Sequence, residues 1–309
     1  MTTTMPRATT GGARRRRRRR GLVPVLVLLF VGVLALGGWA WWRGVLAALP
    51  VREHCTATAL GNTTELDPEQ AGNAAIIASV AVKRGLPGRA ATIGIATAMQ
   101  ESKLVNLPGG DRDSIGLFQQ RPSQGWGTPA QVRDPVYASN AFYDVLVKVE
   151  GYEDLPITKA AQTVQRSAFP SAYADHEPEA RILASALTGY SPAGLTCVLS
   201  ELAPLSPQTA DATGLTPRAR AVARAAANEA GRNGAAVPGE PTAVRFALHG
   251  KGATTTGWAL AQWAVARAGA LQVVSVETDG RRWDRSHADQ GWTVTSGSAP
   301  AGTVVVRVG

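Results

Sequence analysis

Seven consecutive arginines, Arg14 to Arg20, run directly into 22 uncharged residues, Gly21 to Trp42. At ~1.5 Å per residue, a helix of that length crosses a ~30 Å hydrocarbon layer. The apolar core of a cleaved signal peptide, the other reading, is shorter, at about 7–15 residues. Trp39, Trp41 and Trp42 close the span with rings suited to a membrane–water boundary, and arginines ahead of a span hold the N-terminus in the cytoplasm. Residues 1–20 are therefore expected to form a cytoplasmic basic tail and residues 21–42 a transmembrane helix. Everything from about Gly44 onward is expected outside, in a single-pass protein of the cell membrane whose first partner is the lipid bilayer. Charge follows the same division. Of the 32 Lys and Arg residues, nine lie in the first 43, which contain no acid, and the other 23 match the 23 acidic residues. A neutral body gains little from a phosphate backbone, so no nucleic-acid partner is expected.

The outer part reads as two folded pieces. Cys55 and Cys197, the only cysteines, both fall in an oxidising compartment and bracket a helix-rich stretch, which predicts a disulfide. Within 55–197, Asp67-Pro68-Glu69-Gln70 carries a cap, a first-turn proline and a capping-box glutamine. Further helices are expected over 89–105, from Asp134-Pro135 onward, and over 158–167 and 178–188. No convincing alternating strand stands out there. Residues 198–217 form a Pro-, Ser- and Thr-rich linker, and 218–309 alternate helical and strand-like patterns. The expected fold is a mostly α domain, then a small C-terminal α/β domain.

Few residues in this chain suggest chemistry. His54, His176, His249 and His287 are scattered without metal-ligand spacing, no glycine-rich loop follows a strand, and no Ser/His/Asp set stands out. No metal or cofactor is expected. Glu101 differs. Its helical neighbours are Thr97, Ala98, Leu104 and Val105, which would strip water from the carboxyl group and favour the protonated form that a general acid needs.

Gln100-Glu101-Ser102, followed by Gly116-Leu117-Phe118-Gln119-Gln120-Arg121-Pro122, resembles the Glu-Ser and Gly-Leu-Met-Gln blocks of soluble lytic transglycosylases and goose-type lysozymes. Asp134-Pro135-x-Tyr137-Ala138 with Phe142-Tyr143-x-x-Leu146 is similar to the third block of that superfamily. The stretch from Asp67 to Thr188 looks most like the lysozyme-like outer domain of membrane-anchored actinobacterial cell-wall proteins. The resemblance implies a lysozyme-like fold for 55–197 and a peptidoglycan glycosidase cutting the β-1,4 glycan bond. It makes Glu101 the acid/base and places Ser102, Gly116, Leu117, Phe118, Gln119 and Gln120 along the glycan groove, with peptidoglycan strands as partner.

Several roles stay open on the sequence. Hydrolysis of the lysozyme type needs a second carboxylate ~5–9 Å away, and Asp111 and Asp113 are either that group or turn formers. A transglycosylase, by the same resemblance, works with one carboxyl, returning the proton to it from the sugar's 6-hydroxyl. Trp126 and Tyr137 either stack against sugar or pack inward, as does Tyr173. The family's Ala-Tyr-Asn-Ala-Gly block is absent, with Ala160-Ala161-Gln162-Thr163-Val164 in its place. That departure motivates the alternative of a non-catalytic peptidoglycan-binding protein of the envelope. The C-terminal blocks around Trp263 and Asp279 to Trp283 faintly resemble the last domain of other secreted actinobacterial proteins and carry no function across.

Overall fold

In a computed structural model of the chain, the described residues are 1–3, 32, 39, 52–165 and 170–309, the side chains of 170 and 171 excepted. Residues 1–50 cluster as one unit and 51–309 as another. The tail at 1–20 and the expected span at 21–42 lie almost wholly outside the described residues. Among the described residues no helix is long and apolar enough to cross a membrane.

The larger unit opens on a hairpin, β1 (His54–Ala59) and β2 (Asn62–Leu66), joined by Leu60-Gly61 with both residues at positive φ. Two such residues make the tight turn whose twist matches a hairpin. Helices follow: α1 (Pro68–Lys83), α2 (Gly88–Ser102), α3 (Pro129–Arg133), α4 (Pro135–Leu146), α5 (Ile157–Gln165) and α6 (Glu177–Leu187). Strand β3 (Leu195–Val198) then returns to β1, giving an antiparallel sheet of order β2-β1-β3. Cys55 and Cys197 are direct cross-strand partners in that pairing and form a disulfide. Closing so long a loop stabilises the fold by about 4–5 kcal/mol in the chain-entropy picture.

Beyond the linker come α7 (Pro217–Ala225), β4 (Ala235–Val237), β5 (Glu240–Ala247), α8 (Ala253–Ala266), α9 (Ala268–Leu271), β6 (Val273–Thr278), β7 (Arg281–Asp284), β8 (Trp292–Val294) and β9 (Thr303–Val308). The strands build one six-stranded antiparallel sheet of order β4-β5-β9-β6-β7-β8. Helix α8 is buried almost all round, as expected of a helix covered on both sides. It packs on β6 and β9 and also on α1, α6 and β3.

The expectation of a mostly α lysozyme-like domain with a small α/β appendage is overturned. Two antiparallel sheets are present, and the second, of six strands, is a major layer of the molecule. The missed strands are short and weakly apolar. Along β1 the inward side chains are Cys55, Ala57 and Ala59, too small to register as a hydrophobic alternation. Strands β7 and β8 each turn one large side chain inward, Trp283 and Trp292. Those two indoles reach across to β3, donating to the carbonyls of Cys197 (3.3 Å) and Leu195 (2.8 Å). An edge strand left with bare carbonyls invites unwanted pairing, and the tryptophans occupy them.

Candidate functional site

Glu101 occupies the last turn of α2, and the way that helix ends fixes its position. Lys103 and Leu104 both adopt left-handed backbone conformations, with φ of 57° and 59°. Their N–H groups close back on Met99 and Ala98. Two side chains of α1 hold this turn, Gln70 donating to the Lys103 carbonyl (2.9 Å) and Asn73 to that of Leu104 (2.7 Å). Neither residue is glycine, so the conformation is strained, and such strain gathers at functional sites.

Ser102, buried behind Glu101, donates to the carbonyl of Leu117 at 2.7 Å and to that of Ala98 at 3.0 Å. Gln165, at the end of α5, donates to the next carbonyl, Phe118, at 2.7 Å. The 116–120 segment is thus bound to two helices through successive backbone oxygens. Gly116 turns it at φ 80°, and a Cβ there would stand 2.6 Å from the Val132 carbonyl oxygen. That close approach, together with the positive φ, accounts for glycine at this position.

The carboxyl of Glu101 accepts a hydrogen bond from the buried Tyr173 hydroxyl at 2.6 Å, and Gln165 also hydrogen-bonds to it. Burial pushes the Glu101 pKa above the ordinary glutamate value, and the bonds from Tyr173 and Gln165 only partly offset the rise. A carboxyl held this way keeps its proton to higher pH and has a base-stabilising donor once the proton is gone. His176 lies close by, its Nε2 3.0 Å from Gln100 Oε1, and its pKa is lowered, chiefly by burial.

Gln165 also borders an open pocket of about 540 Å³ whose other walls include Gln124, Trp126, Val145 and Thr163. Trp126 is half-buried there and packs on the core. Tyr137 lies beside it, its hydroxyl so close to Gly127 that a Cβ there would sit 2.7 Å away.

The other sequence candidates divide clearly. Leu117 and Phe118 are fully buried, Phe118 stacking on Phe142 at 4.7 Å, so they contribute backbone rather than groove side chains. Gln120 is buried and donates to the Ala138 carbonyl at 3.2 Å. Gln119 bends back to the Gly116 carbonyl at 3.0 Å. Asp113 is held by the Arg121 guanidinium (2.8 Å) and the Ser123 N–H (2.8 Å), which drive its pKa far below the usual aspartate value. Asp111 is exposed, 3.9 Å from Arg112.

Sequence reading passed over Gln165. One signal was available: it lies four residues after the buried Ala161, on the inward flank of an amphipathic helix, where a glutamine needs a partner. Among the described residues no three His, Cys, Asp or Glu side chains gather as a metal site.

No protein-family model matches this chain, and no curated protein does. The site is therefore interpreted from its own chemistry, beside the motif resemblance given above.

Proposed function

We propose that the part of the chain beyond residue 50 is a peptidoglycan glycosidase of the cell envelope, tethered by residues 21–42 with the N-terminus in the cytoplasm. The observation that carries this reading is Glu101: one half-buried carboxyl, raised in pKa, bonded by Tyr173 and Gln165, with Gln165 opening onto a pocket. The Glu-Ser and Gly-Leu-Phe-Gln blocks, joined through Ser102 and the Leu117 carbonyl, support the same reading.

In this scheme, protonated Glu101 donates to the oxygen of the β-1,4 bond as the C1–O bond breaks. Asp113 is a poor second carboxylate, because nucleophilic attack would require it to leave Arg121 and the Ser123 N–H. That favours the one-carboxyl route. The Glu101 carboxylate then takes the proton of the sugar's own 6-hydroxyl, whose oxygen bonds to C1 and closes a 1,6-anhydro ring. Glu101 ends protonated, as it began.

Incubating the detergent-solubilised chain with purified peptidoglycan and weighing the released muropeptides tests this. Expected are fragments lighter than ordinary reducing ends by one water, absent with Glu101→Gln. Reducing ends would assign hydrolysis. Pull-down of peptidoglycan by both proteins, with no release by either, would replace the enzyme with a binding protein.

A further inference from the structure

One turn of α1, residues 70–73, has different neighbours on its two sides. Gln70 and Asn73, three positions apart, share a face and donate to the Lys103 and Leu104 carbonyls just past Glu101. Gly72 faces the C-terminal module instead. A Cβ there would stand 3.5 Å from the Ala266 carbonyl oxygen and 3.6 Å from Arg267 Nη1. The other end of α1 meets the same module, where Lys83 Nζ donates to the Asn228 carbonyl at 2.8 Å. Helix α1 is thus the layer between the Glu101 turn and residues 218–309.

Arg267 is itself held in place. Residues Ala226–Ala230 continue α7 as a single π-helical turn, a rare form that gathers at functional sites. That turn carries Glu229, which is buried and accepts from the Trp263 indole at 2.7 Å and from Arg267 Nη2 at 3.0 Å. A buried carboxylate left without such partners is strongly unfavourable. The pair therefore stays together at the point where α8 ends beside Gly72.

A binding domain carried on a linker would need none of these contacts, because such domains meet over modest polar interfaces and move against each other. Here α8 is buried against α1, α6 and β3 on one side and the six-stranded sheet on the other. We propose that the 218–309 module positions the Glu101 turn, with Arg267, seated by Glu229, as the positioning residue that fixes the 70–73 turn of α1. The consequence for catalysis rests on Glu101 being the acid proposed above; the consequence for the turn itself does not.

The test uses the detergent-solubilised full chain. Amide exchange at Lys103 and Leu104, whose N–H groups close the turn, is followed by mass spectrometry alongside muropeptide release. Gly72→Ala adds a Cβ at ordinary contact distance and should change neither. Gly72→Val overfills that contact, and Glu229→Gln combined with Arg267→Met removes the pair without leaving a charge buried. Each should speed exchange at 103–104 at least about tenfold. Each should also slow release at saturating peptidoglycan while pull-down of peptidoglycan is unchanged. Phe246→Leu, a cavity in the six-stranded sheet, is measured at the same interval below its own Tm and should do neither. Unchanged exchange in either variant, equal acceleration by Phe246→Leu, or faster exchange with release intact would overturn the proposal. If the double variant does not fold, Gly72→Val decides alone. A parent chain that releases nothing would remove the glycosidase reading, and exchange would still decide whether the module holds the turn.

Discussion

Two carboxylates, one in the last turn of α2 and one in the loop that follows it, are treated in opposite ways. Glu101 sits at a helix end, where burial outweighs two neutral hydrogen-bond donors and its pKa rises. Asp113 sits on a surface loop, where a guanidinium and a backbone N–H hold it as an anion. Divergent environments of this kind separate an acid that can give up its proton at neutral pH from one that is already ionised. Asp113 is thereby tied as an anion into the loop that leads to the 116–120 segment, while the Glu101 carboxyl keeps its proton to higher pH.

The widest test of that contrast is catalytic. Glu101→Ala should lower muropeptide release by about 10²–10⁴-fold, the usual cost of losing a general acid. Asp113→Ala should leave the rate within about tenfold. Equal losses from the two variants would make Asp113 a reacting group and break the comparison.

Next comes the turn that follows Asp113. Gly116→Ala forces a Cβ to within 2.6 Å of a backbone oxygen at a φ of 80°. It should cost more than about 1 kcal/mol, read as a lower denaturant midpoint at unchanged slope. A neutral effect would mean that the 116–120 segment is not clamped.

A smaller effect is expected in the pH profile. The Tyr173 bond lowers the Glu101 pKa, so Tyr173→Phe should raise it. Activity that needs protonated Glu101 falls as pH rises through that pKa, so the alkaline limb should move to higher pH. Movement to lower pH would assign the limb to another group.

Smallest are the stability differences with pH. A carboxyl whose folded pKa is raised stabilises the fold below its unfolded value and loses that contribution as pH rises through the folded one. Glu101→Gln should therefore raise Tm relative to the parent at pH 8 and less so at pH 4. Asp113, with its pKa lowered, behaves in reverse: its contribution is present above the ordinary aspartate value and lost as pH falls. Asp113→Asn should narrow its gap from the parent on acidification. Both are thermal melts across pH, and parallel curves for the two variants would show that the two environments do not differ.

The elements legible in advance carried their signals locally. The start of α1 was readable because Asp67, Pro68 and Gln70 make a capping box within four residues. Asp134 likewise caps α4, accepting from the N–H groups of Val136 and Tyr137. The Cys55–Cys197 bridge followed from compartment and count. The sheets were not legible in the same way. Asp279-Gly280, both at positive φ, turns β6 into β7; this pair is a strong hairpin signal that was open to reading. By contrast β1, β3 and β8 offer only small or isolated inward side chains.

Sequence alone determined that Glu101 has Thr97 and Ala98 one turn behind it, because the identities at i−4 and i−3 are fixed once a helix forms, whereas Leu104 and Val105, expected to continue that helix, lie beyond its end, Leu104 in a left-handed turn. It also determined the basic, uncharged and neutral zones of the chain, since net charge is a sum over residues. Only the tertiary structure decided which partners those residues meet. Tyr173 lies 72 positions from Glu101 and Gln165 lies 47 from Phe118, while the Trp283 and Trp292 indoles cross 86 and 97 positions to cover β3. Such contacts depend on how helices and sheets pack. Packing responds to the shape of the whole core, which a local pattern of residues does not encode.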